Sequence, residues 1–152
     1  MENVKFQNNK NFNLLIDEPF NIIYKYIFAL KKNCKITLLS NENQEIKKKI
    51  SSQEKSEIND NIISYLNKNK EEKFNVIILA NTNENHEIGY NYIKKDNLKI
   101  IASHLKKDGK FCVYLFLKNK YLKERINNEF KDTFINVSIF QNKSDYIFIC
   151  HN

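Results

Sequence analysis

The sequence is short of the residues that bend and punctuate a chain: two glycines (Gly89 and Gly109), one proline (Pro19) and no tryptophan in 152 residues. A proline-rich linker and a collagen-like repeat are both excluded. Cysteine is scarce too. Cys34, Cys112 and Cys150 are odd in number, widely spaced and set inside hydrophobic stretches, with no CxxC pair. That excludes a disulfide-dense miniprotein and predicts reduced, buried thiols. His86, His104 and His151 form no HxxxH or CxxH spacing, so no metal site is expected. The longest hydrophobic stretch, Asn21 to Leu30, is interrupted by Lys25, and it falls short of the roughly 18 apolar residues that span a bilayer. The first ten residues, MENVKFQNNK, hold no apolar segment of a secretory signal. A cytoplasmic address is expected.

Arginine is nearly absent as well. Of the 25 basic residues only Arg125 is not lysine, whereas base readout and bidentate phosphate clamps favour the planar guanidinium. The net charge of +7 still allows a basic, RNA-associated accessory domain as one reading. Against it, Asn, Lys and Ile make up nearly half the chain, as A/T-rich codons would dictate whatever the function. The lysine pairs Lys31-Lys32, Lys94-Lys95 and Lys106-Lys107, and the run Lys47 to Lys49, lack the interleaved glycines and aromatics of an RNA-binding strand. What is present is ordinary for one soluble domain: 41% apolar, 12% aromatic and 28% charged residues over residues 1–152.

Periodicity predicts an alternation of strands and helices. Asn11 to Ile16 reads as a buried strand, and Asp17-Glu18-Pro19 caps a helix whose stripe is Phe20, Ile23, Tyr24, Ile27 and Phe28. Lys35 to Leu39 is a second strand. The polar stretch from Asn41 to Lys70 contains a helical pattern with Ile58, Ile62 and Leu66 on one face, and Ser51-Ser52-Gln53 as a loop. Phe74 to Leu79 is a near-continuous apolar run, as in a central parallel strand. A helical region from about His86 to Leu105 follows, with Ile88 and Tyr92 early, Leu98, Ile101, Ala102 and Leu105 later, and a break at Asp96-Asn97. Lys107-Asp108-Gly109-Lys110 reads as a turn with Gly109 at positive φ, leading into the buried strand Phe111 to Leu117. Leu122, Ile126 and Phe130 mark another helix. Ile135 to Phe140 and Tyr146 to Cys150, separated by too few residues for a crossover, form an antiparallel hairpin. The order βαβ(α)βαβαββ predicts an α/β fold, a doubly wound, mostly parallel sheet with a C-terminal antiparallel hairpin. Because the chain stops directly after the last strand, it is expected to be part of a longer protein.

Such a sheet resembles the class I S-adenosylmethionine-dependent methyltransferase fold, and the texture agrees. FNVIILAN is similar to that superfamily's "FDvIl" strand, and LKKDGKFCVYLFL to its "LkpGG.l.l" turn and strand. The cofactor-binding pattern departs. Where the family has a glycine-rich turn after the first strand, this chain has Asp17-Glu18-Pro19-Phe20-Asn21. Glycine is needed there because the backbone must pass close to the cofactor; Pro19 removes a donor and Phe20 adds bulk. After the FNVIIL strand, amino-methylating relatives carry an Asn/Asp-Pro-Pro-aromatic motif. This chain has Asn81-Thr82-Asn83-Glu84.

That combination of order and loss resembles the N-terminal methyltransferase-like domain of the anamorsin family of cytosolic iron-sulfur protein assembly. The resemblance runs through NLLIDEPF, KITLLSNEN, FNVIIL, LKKDGKF and the closing hairpin, nearly the whole chain. It implies a non-catalytic interaction domain, with no catalytic, cofactor-binding or metal residue of its own. By the same resemblance, [2Fe-2S] clusters lie in a C-terminal region beyond Asn152, and the partners are an NADPH-dependent diflavin reductase and cytosolic iron-sulfur assembly proteins. The implied compartments are the cytoplasm and the mitochondrial intermembrane space, with no membrane or nucleic-acid partner. The competing enzyme reading is a divergent methyltransferase with Asp17, Glu42 and Asn81 as cofactor contacts. A Cys112–His nucleophilic pair is disfavoured because a thiolate in the middle of an apolar strand is costly.

Overall fold

Seven strands form one sheet in the order β3-β2-β1-β4-β5-β7-β6. The structure, a computed structural model, describes residues 12–17, 34–38, 54–57, 61–79 and 93–152. β1 (Phe12–Asp17), β2 (Cys34–Leu38), β3 (Glu54–Glu57), β4 (Phe74–Leu79) and β5 (Leu105–Phe116) are parallel. β7 (Asp145–His151) runs antiparallel between β5 and β6 (Asn136–Asn142). The expected doubly wound sheet with its closing hairpin is therefore the observed one. It has one strand more than expected: Glu54-Lys55-Ser56-Glu57 pairs with β2 although it shows no apolar alternation. Backbone pairing at an edge needs no buried side chain.

Three helices are described: α1 (Ile62–Lys68), α2 (Lys95–Ser103) and α3 (Lys120–Thr133). The Asn61 side chain accepts the Ser64 N–H at 2.8 Å, and the Asn119 side chain accepts the Tyr121 N–H at 2.8 Å, so α1 and α3 start where an amide oxygen can satisfy free donors. α2 begins at Lys95 and places Asp96 in its first turn, where a negative charge suits the helix dipole. The expected break at Asp96-Asn97 is a beginning instead, and Leu105 belongs to β5. The helix expected after Pro19, Ile58, the loop Ser51-Ser52-Gln53, and Ile88 and Tyr92 lie outside the described residues.

α2 packs between α1 and α3 on one face of the sheet. The core under them takes alternate residues of β5 (Phe111, Val113, Leu115) and β7 (Tyr146, Phe148, Cys150), together with Ile126 and Phe130 of α3. The Phe130 ring lies 4.9 Å from that of Phe148 and meets Phe111 edge-on at 6.3 Å. Burying such rings is the main stabilising term of this layer. The intervening Val76, Ile78 and Cys112 are buried on the opposite face.

The β4–β5 ladder is interrupted. Phe74 pairs with Leu105 and Val76 with Lys110, so the segment between Leu105 and Lys110 loops out of register. The residues expected to form a turn, Lys107 to Lys110, lie inside β5 as this irregularity, and positive φ falls on Asp108 (62°), with none at Gly109. Gly109 is required for closeness: a Cβ there would lie 2.7 Å from Lys106 O and 3.1 Å from Phe74 O.

Candidate functional site

The chain passes from β1 outward to β2 and β3, then returns across β1 to β4, so the strand order reverses between β1 and β4. Open α/β sheets bind ligands in the crevice beyond the carboxyl ends of strands at such a point. Asp17 is the last residue of β1 and stands in register with Leu79, the last of β4; Ile16 pairs with Leu38, the last of β2. Glu42 and Asn81 lie outside the described residues, a few positions beyond Leu38 and Leu79. The carboxyl ends of β1, β2 and β4 therefore share one rim, with Asp17 on it.

Tyr114 and Asp145 form a pair that sequence reasoning missed. The Tyr114 hydroxyl donates to Asp145 Oδ1 at 2.5 Å, near the carboxyl end of β5. Burial, then the hydrogen bond and the carboxylate charge, hold this phenol well above its ordinary range. It remains a neutral donor near pH 7 and cannot serve there as a base. The only signal in sequence was a tyrosine inside an apolar run.

The remaining chemistry-bearing side chains have structural roles. Burial pushes the Cys112 thiol up to about 12, with Lys110 opposing weakly, and raises the Cys150 thiol as well. The two thiols are free and buried, as expected, and alternate register places them on opposite faces of the sheet. The side chain of Cys34 lies outside the described residues. His104 Nδ1 lies 2.8 Å from Ile100 O, and Ser103 Oγ donates to the same carbonyl at 2.7 Å. Both groups cap the end of α2, and the adjacency of Ser103 and His104 is not a nucleophile–base pair. A cavity of about 280 Å³ opens beside the start of α2, lined by Ile93, Lys94, Arg125, Ile126 and Glu129. Its mixed charges select no reaction. Among the described residues no three His, Cys, Asp or Glu side chains gather as metal ligands, and no helix is long and apolar enough to cross a membrane.

No protein-family model matches the sequence, and no curated protein matches it. Solved structures do match its backbone. Human methyltransferase-like protein 13, solved in complex with SAH, is similar at a TM-score of 0.68 and 12% identity over 92% of this chain and 71% of its own. Spermidine synthase from Thermotoga maritima gives 0.62 at 12% identity, over 91% of this chain and 52% of its own. An rRNA methylase from Streptococcus thermophilus gives 0.59 at 10% identity, over 93% of this chain and 87% of its own. The chain thus spans about half the length of the synthase and most of the rRNA methylase. Identities this low establish the fold alone: this chain has the class I methyltransferase-like α/β fold.

Proposed function

We propose that this domain is a non-catalytic, methyltransferase-like interaction module. The observation carrying the reading is the segment that leaves β1 at the point where the strand order reverses. It reads Asp17-Glu18-Pro19-Phe20-Asn21, with no glycine. Of the two glycines in the chain, Gly109 is committed to the β4–β5 register break and Gly89 follows β4. A nucleoside-bearing cofactor needs close backbone approach after β1, and a proline followed by phenylalanine does not fit that requirement. Isothermal titration of the purified chain should detect no S-adenosylmethionine binding at millimolar ligand; micromolar binding would overturn the reading.

The opposite outcome has its own support, since Asp17, Glu42 and Asn81 follow three strands that end on one rim. If the cofactor binds, a divergent methyltransferase is the better assignment, and Asp17→Ala and Asn81→Ala should each weaken that binding.

The finer assignment we put forward is the anamorsin-like one, supported by the order of NLLIDEPF, KITLLSNEN, FNVIIL and LKKDGKF. In it the domain positions a redox segment that carries [2Fe-2S] clusters, belongs to the longer protein and accepts electrons from an NADPH-dependent diflavin reductase. Neither Cys112 nor Cys150 suits cluster ligation, being buried with raised thiol pKa values.

A further inference from the structure

The two outer strands of the sheet are built differently. β3, at one edge, has four residues, and three of them, Glu54, Lys55 and Glu57, are charged. β6, at the other edge, has seven residues and no charge, proline or glycine. An edge strand offers unpaired N–H and C=O groups to any other strand, and soluble proteins blunt it with short length, charge, proline or a bulge. β3 uses the first two devices. β6 uses none, and its pairing with β7 is unbroken from Asn136 to Asn142. Among the described residues no strand pairs with its outer side. Val137 and Ile139 pack against the core while remaining partly exposed at its margin; on the other face Ser138 is exposed and Phe140 half-buried. Ile135, which leads into the strand, is 81% exposed.

We propose that β6 is a self-association edge through which two copies of this chain pair antiparallel and join their sheets. Charge and register together argue for a second copy. A chain of net charge +7 repels its own kind wherever lysines meet lysines, and β6 is a seven-residue strip where no such meeting occurs. A two-fold axis through Ile139 sets that residue opposite its counterpart, Ser138 opposite Phe140, Val137 opposite Gln141 and Asn136 opposite Asn142. No like charges face each other. The partly exposed Val137 and Ile139 then continue the core across the junction. The pair closes on itself, because the edges left over are the charged β3 strands. A single strand pair is small beside the ~800 Å² per partner of a standard interface, so the dimer is weak.

Sedimentation velocity on the full chain, from low-micromolar to near-millimolar concentration, should show the mass rising from 18.2 kDa toward twice that value. The double variant Ser138→Lys/Phe140→Lys sets lysine against lysine on both sides of the axis and should weaken association by about tenfold or more. Ser138→Lys/Phe140→Glu sets lysine against glutamate and should restore it. Circular dichroism checks folding, and Asn136→Lys/Asn142→Lys, at two exposed sites that face each other across the axis, must also weaken the dimer if the Phe140 variants fail to fold. A wild-type chain that stays monomeric near millimolar concentration, or a dimer indifferent to these charges, would overturn the proposal.

Discussion

At Gly109 the sequence marks an indispensable residue, but close packing, not backbone handedness, is the reason. A Lys-Lys-Asp-Gly-Lys run suggests glycine at positive φ, yet Asp108 takes that conformation, which its short polar side chain tolerates. Gly109 is instead confined by carbonyl oxygens of Lys106 and Phe74, and which carbonyls crowd a residue depends on strand register, which composition cannot reveal. The Gly109→Ala variant should lose about 1–3 kcal/mol in urea unfolding, because backbone, not a flexible side chain, must give way. Cys112 was legible directly: a thiol inside FCVYLFL is buried, and its raised pKa follows from that burial.

Legibility of an element depends on how much of its face is buried. β4 spans the residues its apolar run predicts, since a strand buried on both faces takes apolar residues at nearly every position, the half-buried Asn75 excepted. β3 is invisible to the same reasoning, because an edge strand defended by glutamates looks like a loop. The reversal of strand order beside Asp17 followed from the predicted alternation of strands and helices, whereas Glu42 and Asn81 lie outside the described residues. The Tyr114–Asp145 bond was not legible, since it joins residues 31 apart through the β5–β7 register. α3 carries a sharp expectation of its own. Phe130 is fully buried against Phe111 and Phe148, so Phe130→Ala should cost about 3–5 kcal/mol by denaturant unfolding.

Across the whole molecule, Cys112 ties stability to alkaline pH. Its thiol ionises at 9.0 in the unfolded chain and at about 12 in the fold. Below 9.0 both states hold the proton and the group contributes no slope. Between 9.0 and about 12 only the fold holds it, so stability falls by about 1.4 kcal/mol per pH unit on account of this residue. Cys150, also raised, acts in the same direction. Urea midpoints should be insensitive to these thiols near neutral pH and fall above 9.0, and Cys112→Ala should fall less steeply. An unchanged slope in that variant would show that other groups govern the alkaline limit.

The direction of the final strand governs where attachments end up. β7 runs against β4 and β5, so His151 finishes beside Lys110, about 20 Å down the sheet from the level of Asp145 and Phe116. A fluorophore, affinity tag or protein fused after Asn152 would hang from the rim remote from Asp17. Labelled or surface-tethered versions of this chain would keep the attachment clear of the Asp17 rim, making immobilised nucleoside titrations as informative as those in free solution.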